Sequence, residues 1–149
     1  MSLQTQVMTA LKEAMKAKDS MALESLRAVK SAILLEQTAS GSKEELTEEQ
    51  ELKLLQKLVK QRKDSAAIFK EQGRDDLAAP EEAQAAVIAQ FLPEQMSEEA
   101  IAKVIEEIIG KTGAAGMKDM GKVMGMASGQ LTGKADGKTI STIVKAKLS

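Results

Sequence analysis

A glycine- and lysine-rich segment, residues 118–139, holds the residues of this sequence whose types and spacing are suited to phosphate binding. Five glycines recur at every fourth position in it, and a lysine directly follows three of them. Freed backbone N–H groups and lysine ammonium groups are a common way for proteins to hold phosphate. The glycines are Gly121, Gly125, Gly129, Gly133 and Gly137, and the lysines are Lys122, Lys134 and Lys138.

The end of this segment, Gly137-Lys138-Thr139, imitates the end of a nucleotide-binding P-loop, but the spacing excludes that motif. A P-loop requires a glycine five residues before Gly137, where this sequence has Thr132, and no β-strand pattern precedes the segment. N–H groups at the start of a helix at Gly137 and Lys138, beside Lys134, still suit a phosphate of a larger partner. The alternative is that these glycines only end helices and let them pack closely.

Glycines four residues apart lie on one face of an α-helix, so Gly121 and Gly125 predict a smooth strip on a short helix near residues 117–127. Such a strip allows another backbone to approach closely. A membrane GxxxG contact is excluded, because lysines interrupt every apolar segment near it.

The glycines that follow predict a turn and then a last helix. The density of glycine at Gly129 and Gly133 is too high for a stable helix interior, so the helix is expected to end there. Asp136 is expected to cap a last helix near residues 137–147, with apolar residues along one side.

The composition predicts an ordered, helical protein with an aliphatic core. Of the 149 residues, 43% are hydrophobic and 29% are charged, which is typical of a globular protein. Phe69 and Phe91 are the only aromatic residues, and there is no Cys and no His. These absences exclude disulfides, thiol nucleophiles, zinc sites built from those ligands and imidazole triads. We therefore assign no catalytic residue, no metal site and no cofactor.

The N-terminal sequence lacks the apolar run of a signal peptide, and no segment is apolar enough to span a bilayer. We therefore expect no association with a membrane and a cytoplasmic location.

Positive charge is concentrated towards the C-terminus. From Gly110 to the end there are seven lysines and two aspartates, so 7 − 2 gives +5, and the net charge of −1 leaves −6 for the remainder. A basic segment on a nearly neutral protein indicates an anionic partner; the alternative is an ordinary solvated surface. The candidate RNA-binding residues are Lys118, Lys122, Lys134, Lys138 and Lys145.

Apolar residues at helical spacing run along the whole chain, and no stretch alternates as a strand would. We therefore predict an all-α fold of two helical subdomains. Residues 1–92 form the first, with one long helix, and residues 97–149 form a three-helix unit after a linker at residues 93–96. The helices of the first subdomain are expected to begin near Ser2, Ser20, Thr47 and Pro80 and the last to reach Leu92, while Ser97 caps a fifth helix ending at Gly110.

Arg62 projects from the middle of the apolar face of the long helix, so its guanidinium requires a partner if it is buried. One interpretation is an ion pair with a carboxylate of a neighbouring helix, such as Glu24 or Glu36. The other is that this face is left partly open for a partner protein.

Four segments carry a resemblance to a known family. The chain resembles the YqeY-like family of small bacterial proteins, whose C-terminal half is similar to the tail domain of the GatB subunit of tRNA-dependent amidotransferases. The segments are LRAVKSAI at residues 26–33, KQRKDS at 60–65, FLPEQMSEE at 91–99, and DMGKVMG at 119–125 together with GKADG at 133–137.

The resemblance implies two all-α subdomains and an association with tRNA, because the tail domain of the amidotransferase helps to engage tRNA. The chemistry there belongs to a kinase-like domain and a separate amidase subunit, and this chain has neither. The family label, carbon–nitrogen ligase activity with glutamine as amide donor, is therefore an inheritance from the larger enzyme.

Two hypotheses remain. The first is a non-catalytic tRNA-associated accessory protein that works with an amidotransferase subunit or an aminoacyl-tRNA synthetase. The second is a helical protein–protein interaction module that binds no RNA. It would use the strip at Gly121 and Gly125, the face around Arg62, and a set of methionines that are otherwise core residues. The methionines are Met117, Met120, Met124 and Met126.

Overall fold

A computed structural model describes residues 2–39, 41 and 45–149, and within these ranges it contains seven α-helices, one 3-10 turn and no strand. The predicted all-α fold is therefore confirmed. The small and polar residues at positions 38–42 predict a short loop, which lies partly outside the described residues. The helices are α1 Leu3–Ala17, α2 Ser20–Ala39, α3 Glu48–Glu71, α4 Asp75–Ala89, α5 Glu98–Thr112, α6 Met120–Gln130 and α7 Gly137–Leu148, and the 3-10 turn is Met117–Asp119.

The chain divides into two compact units, one ending at Leu92 and the other beginning at Pro93. Each unit has a hydrophobic core of its own. In the N-terminal unit, α1 buries four residues and α2 buries three apolar residues, all at helical spacing. Those buried residues are Leu3, Val7, Leu11 and Ala14 on α1 and Leu26, Val29 and Ile33 on α2.

The long helix α3 begins and ends as predicted. The hydroxyl of Thr47 accepts from the backbone N–H of Gln50 at 3.2 Å, and the Gln50 side chain accepts from the Thr47 N–H at 2.9 Å. This capping box satisfies two N–H groups that the helix leaves free. At the other end Gly73 adopts a φ of 71°, which favours glycine. At 24 residues, α3 is roughly 36 Å long.

The fourth helix does not begin at Pro80, and that prediction is wrong. Helix α4 starts at Asp75, and Pro80 lies inside it. The proline costs one backbone hydrogen bond and crowds the preceding turn. Acidic Asp75 and Asp76 at the helix start and the burial of Ala78 (1% exposed) favour the longer helix. The helix also ends earlier than predicted, at Ala89.

Of two glycine-based predictions in the C-terminal unit, one is wrong. Helix α6 ends at Gln130, between Gly129 and Gly133, as the density of glycine predicts. Helix α5, however, continues through Gly110 to Thr112, and its C-cap residue Gly113 has a φ of 66°. A single glycine costs a helix only about 1 kcal/mol, so burial of neighbouring residues outweighs it. The core of this unit is Ile101, Ile105, Ile108, Val123, Ala127, Leu131, Ala135, Ile140, Val144 and Leu148.

The start of α1 is joined to α3 by a hydrogen bond from the Leu3 backbone N–H to Oε2 of Glu51, at 3.0 Å. Burial raises the pKa of Glu51 above its usual value, the Leu3 N–H opposes this, and the carboxylates of Glu45 and Glu48 add to the rise. The native state therefore holds the Glu51 proton more tightly than the unfolded chain does.

We expect Glu51→Gln to stabilise the protein more at neutral pH than in acid. Because the native pKa is raised, ionisation of Glu51 lowers the free energy of unfolding as pH rises above the ordinary value of 4.5. Glutamine keeps an acceptor for Leu3 and removes the charge. Urea denaturation from about pH 4 to about pH 7 should show the difference from wild type growing with pH. Glu13→Gln, which removes the same charge at an exposed position of α1, is the control for the change in net charge.

Two of the three helix starts in the C-terminal unit, those of α5 and α7, predict unequal effects of alanine. The Ser97 hydroxyl accepts from the Ala100 N–H at 3.1 Å. Asp136 stands at the predicted cap of α7, but its side chain makes no capping hydrogen bond. Ser97→Ala should lower the free energy of unfolding by about 1 kcal/mol, and Asp136→Ala should lower it by less. Equal losses of unfolding free energy in the two variants, measured by chemical denaturation, would contradict the conclusion that only Ser97 caps its helix through its side chain.

Candidate nucleic-acid interface

The five candidate lysines lie on the 3-10 turn, on α6, on α7 and on the turn that joins those helices. Lys118 is on the 3-10 turn, Lys122 is in the first turn of α6, and Lys134 is between α6 and α7. Lys138 and Lys145 are in the first and last turns of α7. All five are exposed. Since Lys138 and Lys145 are seven residues apart, they share one face of α7 and lie about 10 Å apart along its axis.

None of the five makes an ion pair within the described part of the chain. Lys147 differs, because its ammonium lies 2.6 Å from Oε1 of Glu106 on α5. That hydrogen bond and charge hold the pKa of Glu106 below its usual value. The charge of Lys147 is thus compensated inside the unit, whereas the five candidates present uncompensated charges to solvent.

The turn that carries Lys134 has a defined backbone. Gly133 is buried and adopts a φ of 77°, a conformation that other residues rarely tolerate. The Lys134 N–H donates to the Leu131 carbonyl at 2.9 Å, and the Lys134 carbonyl accepts from the Met96 N–H at 2.9 Å. The lysine backbone is therefore held on both sides while its side chain is exposed.

Gln95 is a residue of this site that the sequence analysis missed. Its side-chain amide donates to the Gly133 carbonyl at 2.6 Å and to the Pro93 carbonyl at 2.9 Å. The segment predicted to be a linker is thus attached to the C-terminal unit. A contact between residues 38 positions apart produces no periodic pattern in the sequence. The only sequence feature that could have indicated Gln95 is that it is a polar amide within the segment FLPEQMSEE.

The glycine strip of α6 faces solvent. Gly121, Gly125 and Gly129 are exposed, and a Cβ built at any of them meets no heavy atom within 4 Å outside the local backbone. The alternative interpretation, that these glycines let helices of this chain pack closely, is therefore wrong for these three within the described residues. The strip is an open face next to Lys122.

The methionines of this region divide into two pairs. Met120 and Met124 are partly buried and pack against the core of the C-terminal unit. Met117 and Met126 are 48% and 38% exposed, so only these two are available to a partner.

Arg62 does not pair with Glu24 or Glu36, so that interpretation is wrong. Its Nε donates to Oε1 of Gln84 on α4 at 3.3 Å, and its Nη1 donates to the Leu58 carbonyl at 3.1 Å. Helix α4 brings a neutral amide to this position, and in the described part of the chain no carboxylate forms an ion pair with the guanidinium. The half-buried arginine is therefore satisfied by polar groups of its own unit.

A groove of about 550 Å³ lies between α3 and α4 in the N-terminal unit. Alanines line much of it, including the buried Ala66 and Ala85. Lys70 and Glu82 form an ion pair at its edge, which raises the pKa of Lys70. Lys63 also lines it.

The described residues offer neither a metal site nor a membrane-spanning helix. They contain no group of three or more His, Cys, Asp or Glu side chains arranged to hold a metal ion. No described helix combines the length and apolar character that crossing a membrane requires.

Residues 4–148 match the protein family described as "Yqey-like protein". The chain belongs to the YqeY-like family. The match covers almost the entire sequence, so the resemblance based on the four segments is confirmed.

Two curated relatives of this YqeY-like chain are similar over parts of its length. A glutamyl-tRNA(Gln) amidotransferase subunit of Thermococcus gammatolerans is 40% identical over 57 residues, which is 36% of this chain and 9% of that protein. Altered inheritance of mitochondria protein 41, mitochondrial, of Clavispora lusitaniae is 39% identical over 82 residues, 55% of this chain and 46% of that protein. The chain thus spans less than half of the length of either relative.

The open glycine strip predicts that Gly125→Ala stabilises the C-terminal unit. Alanine lowers the free energy of an exposed helix by about 1 kcal/mol relative to glycine, and the added methyl group meets open space. Gly133→Ala should destabilise the unit instead, since alanine is strained at a φ of 77°. Thermal unfolding followed by circular dichroism would measure both. A loss of stability in Gly125→Ala would mean that the strip is not open.

Proposed function

We propose that this protein is a non-catalytic accessory protein that binds structured RNA, most specifically tRNA, through its C-terminal unit. The observation that carries the proposal is the set of five exposed lysines that lack an ion pair in the described chain. The similarity to a protein named as a subunit of a glutamyl-tRNA(Gln) amidotransferase supports tRNA as the ligand. An amidotransferase subunit or an aminoacyl-tRNA synthetase is the proposed protein partner.

The side chains favour recognition of the phosphate backbone over recognition of bases. Phe69 and Phe91 are the only aromatic residues of the sequence, and neither belongs to the C-terminal unit. Single-stranded RNA is usually bound by stacking bases on aromatic rings, whereas folded RNA is recognised by shape and through its backbone. The lysines would contact phosphates, and the glycine strip at Gly121 and Gly125 would let the backbone approach α6 closely.

The proposal also includes two expectations from the sequence. The first is that residues 1–92 and 97–149 form independent domains, and the second is that the protein is bacterial and cytoplasmic. Sites for RNA on the second domain would leave the first available for a protein partner.

We expect micromolar binding of bulk tRNA that weakens steeply as salt rises, because binding to phosphates releases counterions. Lys122→Glu and Lys134→Glu should each lower the affinity by roughly tenfold and reduce the salt dependence. Fluorescence anisotropy of labelled tRNA at several salt concentrations measures both quantities.

Lys53→Glu is the matched control for these variants. It makes the same change in charge in the N-terminal unit, where Lys53 is exposed and lies 2.9 Å from Oε1 of Glu49. The control should bind tRNA as the wild type does. Equal losses in all three variants would mean that net charge and not the lysine surface attracts RNA, and no binding by the wild type at low salt would refute the proposed function.

A second candidate function, a protein-interaction module, is favoured by the alanine-lined groove between α3 and α4. Small side chains such as Ala66 and Ala85 allow a partner helix to approach closely. For this function, a complex with an amidotransferase subunit or a synthetase should be insensitive to salt and should be abolished by Ala86→Arg, because Ala86 is exposed in the groove. Failure of tRNA binding together with such a complex would favour the second function.

A further inference from the structure

We infer that Gln95 is a positioning residue for RNA binding, because it holds the turn from which Lys134 would contact phosphate. This inference rests on the function proposed above and adds to it a residue outside the lysine set. Gln95 carries no charge and precedes α5, so neither its type nor its position in the sequence connects it with the lysines. Its hydrogen bonds connect it directly with the turn that carries Lys134.

Lys134 is the candidate lysine that lies outside both the α-helices and the 3-10 turn. The backbones of Lys122, Lys138 and Lys145 are ordered by helical hydrogen bonds. The N–H of Lys134 makes a local turn bond to the Leu131 carbonyl, and its carbonyl accepts from the Met96 N–H in a distant part of the chain. Its position therefore depends on the segment that precedes α5.

Gln95 fixes that segment to the turn. The two hydrogens of its amide group are used on the carbonyls of Gly133 and Pro93, at 2.6 Å and 2.9 Å. Its neighbour Met96 donates to Lys134 at 2.9 Å and packs its side chain against the core. Gln95 and Met96 thus hold Gly133 and Lys134 of the turn, respectively. The bond from Gln95 supports the buried Gly133 in its left-handed conformation.

The consequence for binding is entropic. A long side chain on a mobile turn loses backbone and side-chain freedom when it contacts a phosphate, and this loss weakens binding. When the turn is already ordered, only the side chain has to be immobilised. Gln95 itself is exposed, so its removal leaves the core intact and separates positioning from folding.

The test is a double-mutant cycle on the full chain with bulk tRNA as the ligand. Gln95→Ala should weaken binding by about threefold and Lys134→Ala by a similar or larger factor. The double variant should bind as Lys134→Ala does, since Gln95 acts through that lysine. Gln130→Ala, at an exposed position at the end of α6, is the control and should bind as the wild type does. Additive losses, or no loss in Gln95→Ala, would overturn the inference.

A measurement without RNA separates this inference from the proposed function. In Gln95→Ala the amide hydrogen of Met96, which donates to Lys134, should exchange with solvent at least several-fold faster, at an unchanged melting temperature. If Gln95→Ala unfolds, Gln95→Met takes its place, because methionine keeps the length of the side chain and removes its donors. This variant should show the same faster exchange of the Met96 amide hydrogen. Unchanged exchange overturns the ordering role of Gln95 even where tRNA binds. Faster exchange with no tRNA binding by the wild type overturns the role in RNA binding together with the proposed function.

Discussion

Burial of aliphatic side chains along helices is the interaction on which both units depend. With two phenylalanines as the only aromatic residues, the cores consist of Leu, Ile, Val and Ala. Such side chains are small, so the area that each helix buries depends on how closely the helices approach. Alanines at the contact between α3 and α4, such as Ala66 and Ala85, meet this requirement. The same small residues line the groove between the two helices.

This regular burial explains why most of the fold was predictable. Leu3, Val7, Leu11 and Ala14 follow the helical repeat and are all buried, and the capping box at Thr47 depends on residues three positions apart. Signals of this kind are local, and the chain alone contains them.

The errors arose where a local penalty opposed burial from another part of the chain. Pro80 and Gly110 each disfavour a helix, and each lies inside one. A proline or glycine imposes roughly 1 to 3 kcal/mol on a helix, which the burial of a few neighbouring side chains outweighs. The size of that burial depends on helices distant in the sequence, so no local rule could have weighed the two.

The residues of the candidate site also divide into those that local sequence features predict and those that they do not. The lysines could be chosen from the sequence because positive charge near the C-terminus is a matter of composition. Three other contacts could not be predicted. Glu106 compensates the charge of Lys147, Gln84 is hydrogen-bonded to Arg62, and Gln95 holds the turn that carries Lys134. These are polar contacts between residues far apart in the sequence, and polar contacts have no periodicity.

The separate core of the C-terminal unit has a consequence for the lifetime of the protein. The segment from Pro93 to Ser149 is close to the size of roughly 60 residues at which a single core confers only marginal stability. A ligand that binds only the folded form of such a unit raises its free energy of unfolding in proportion to the logarithm of the ligand concentration. Binding of RNA to the C-terminal unit, as proposed above, would therefore raise the resistance of this unit to proteases, and a chain without bound RNA would be degraded first.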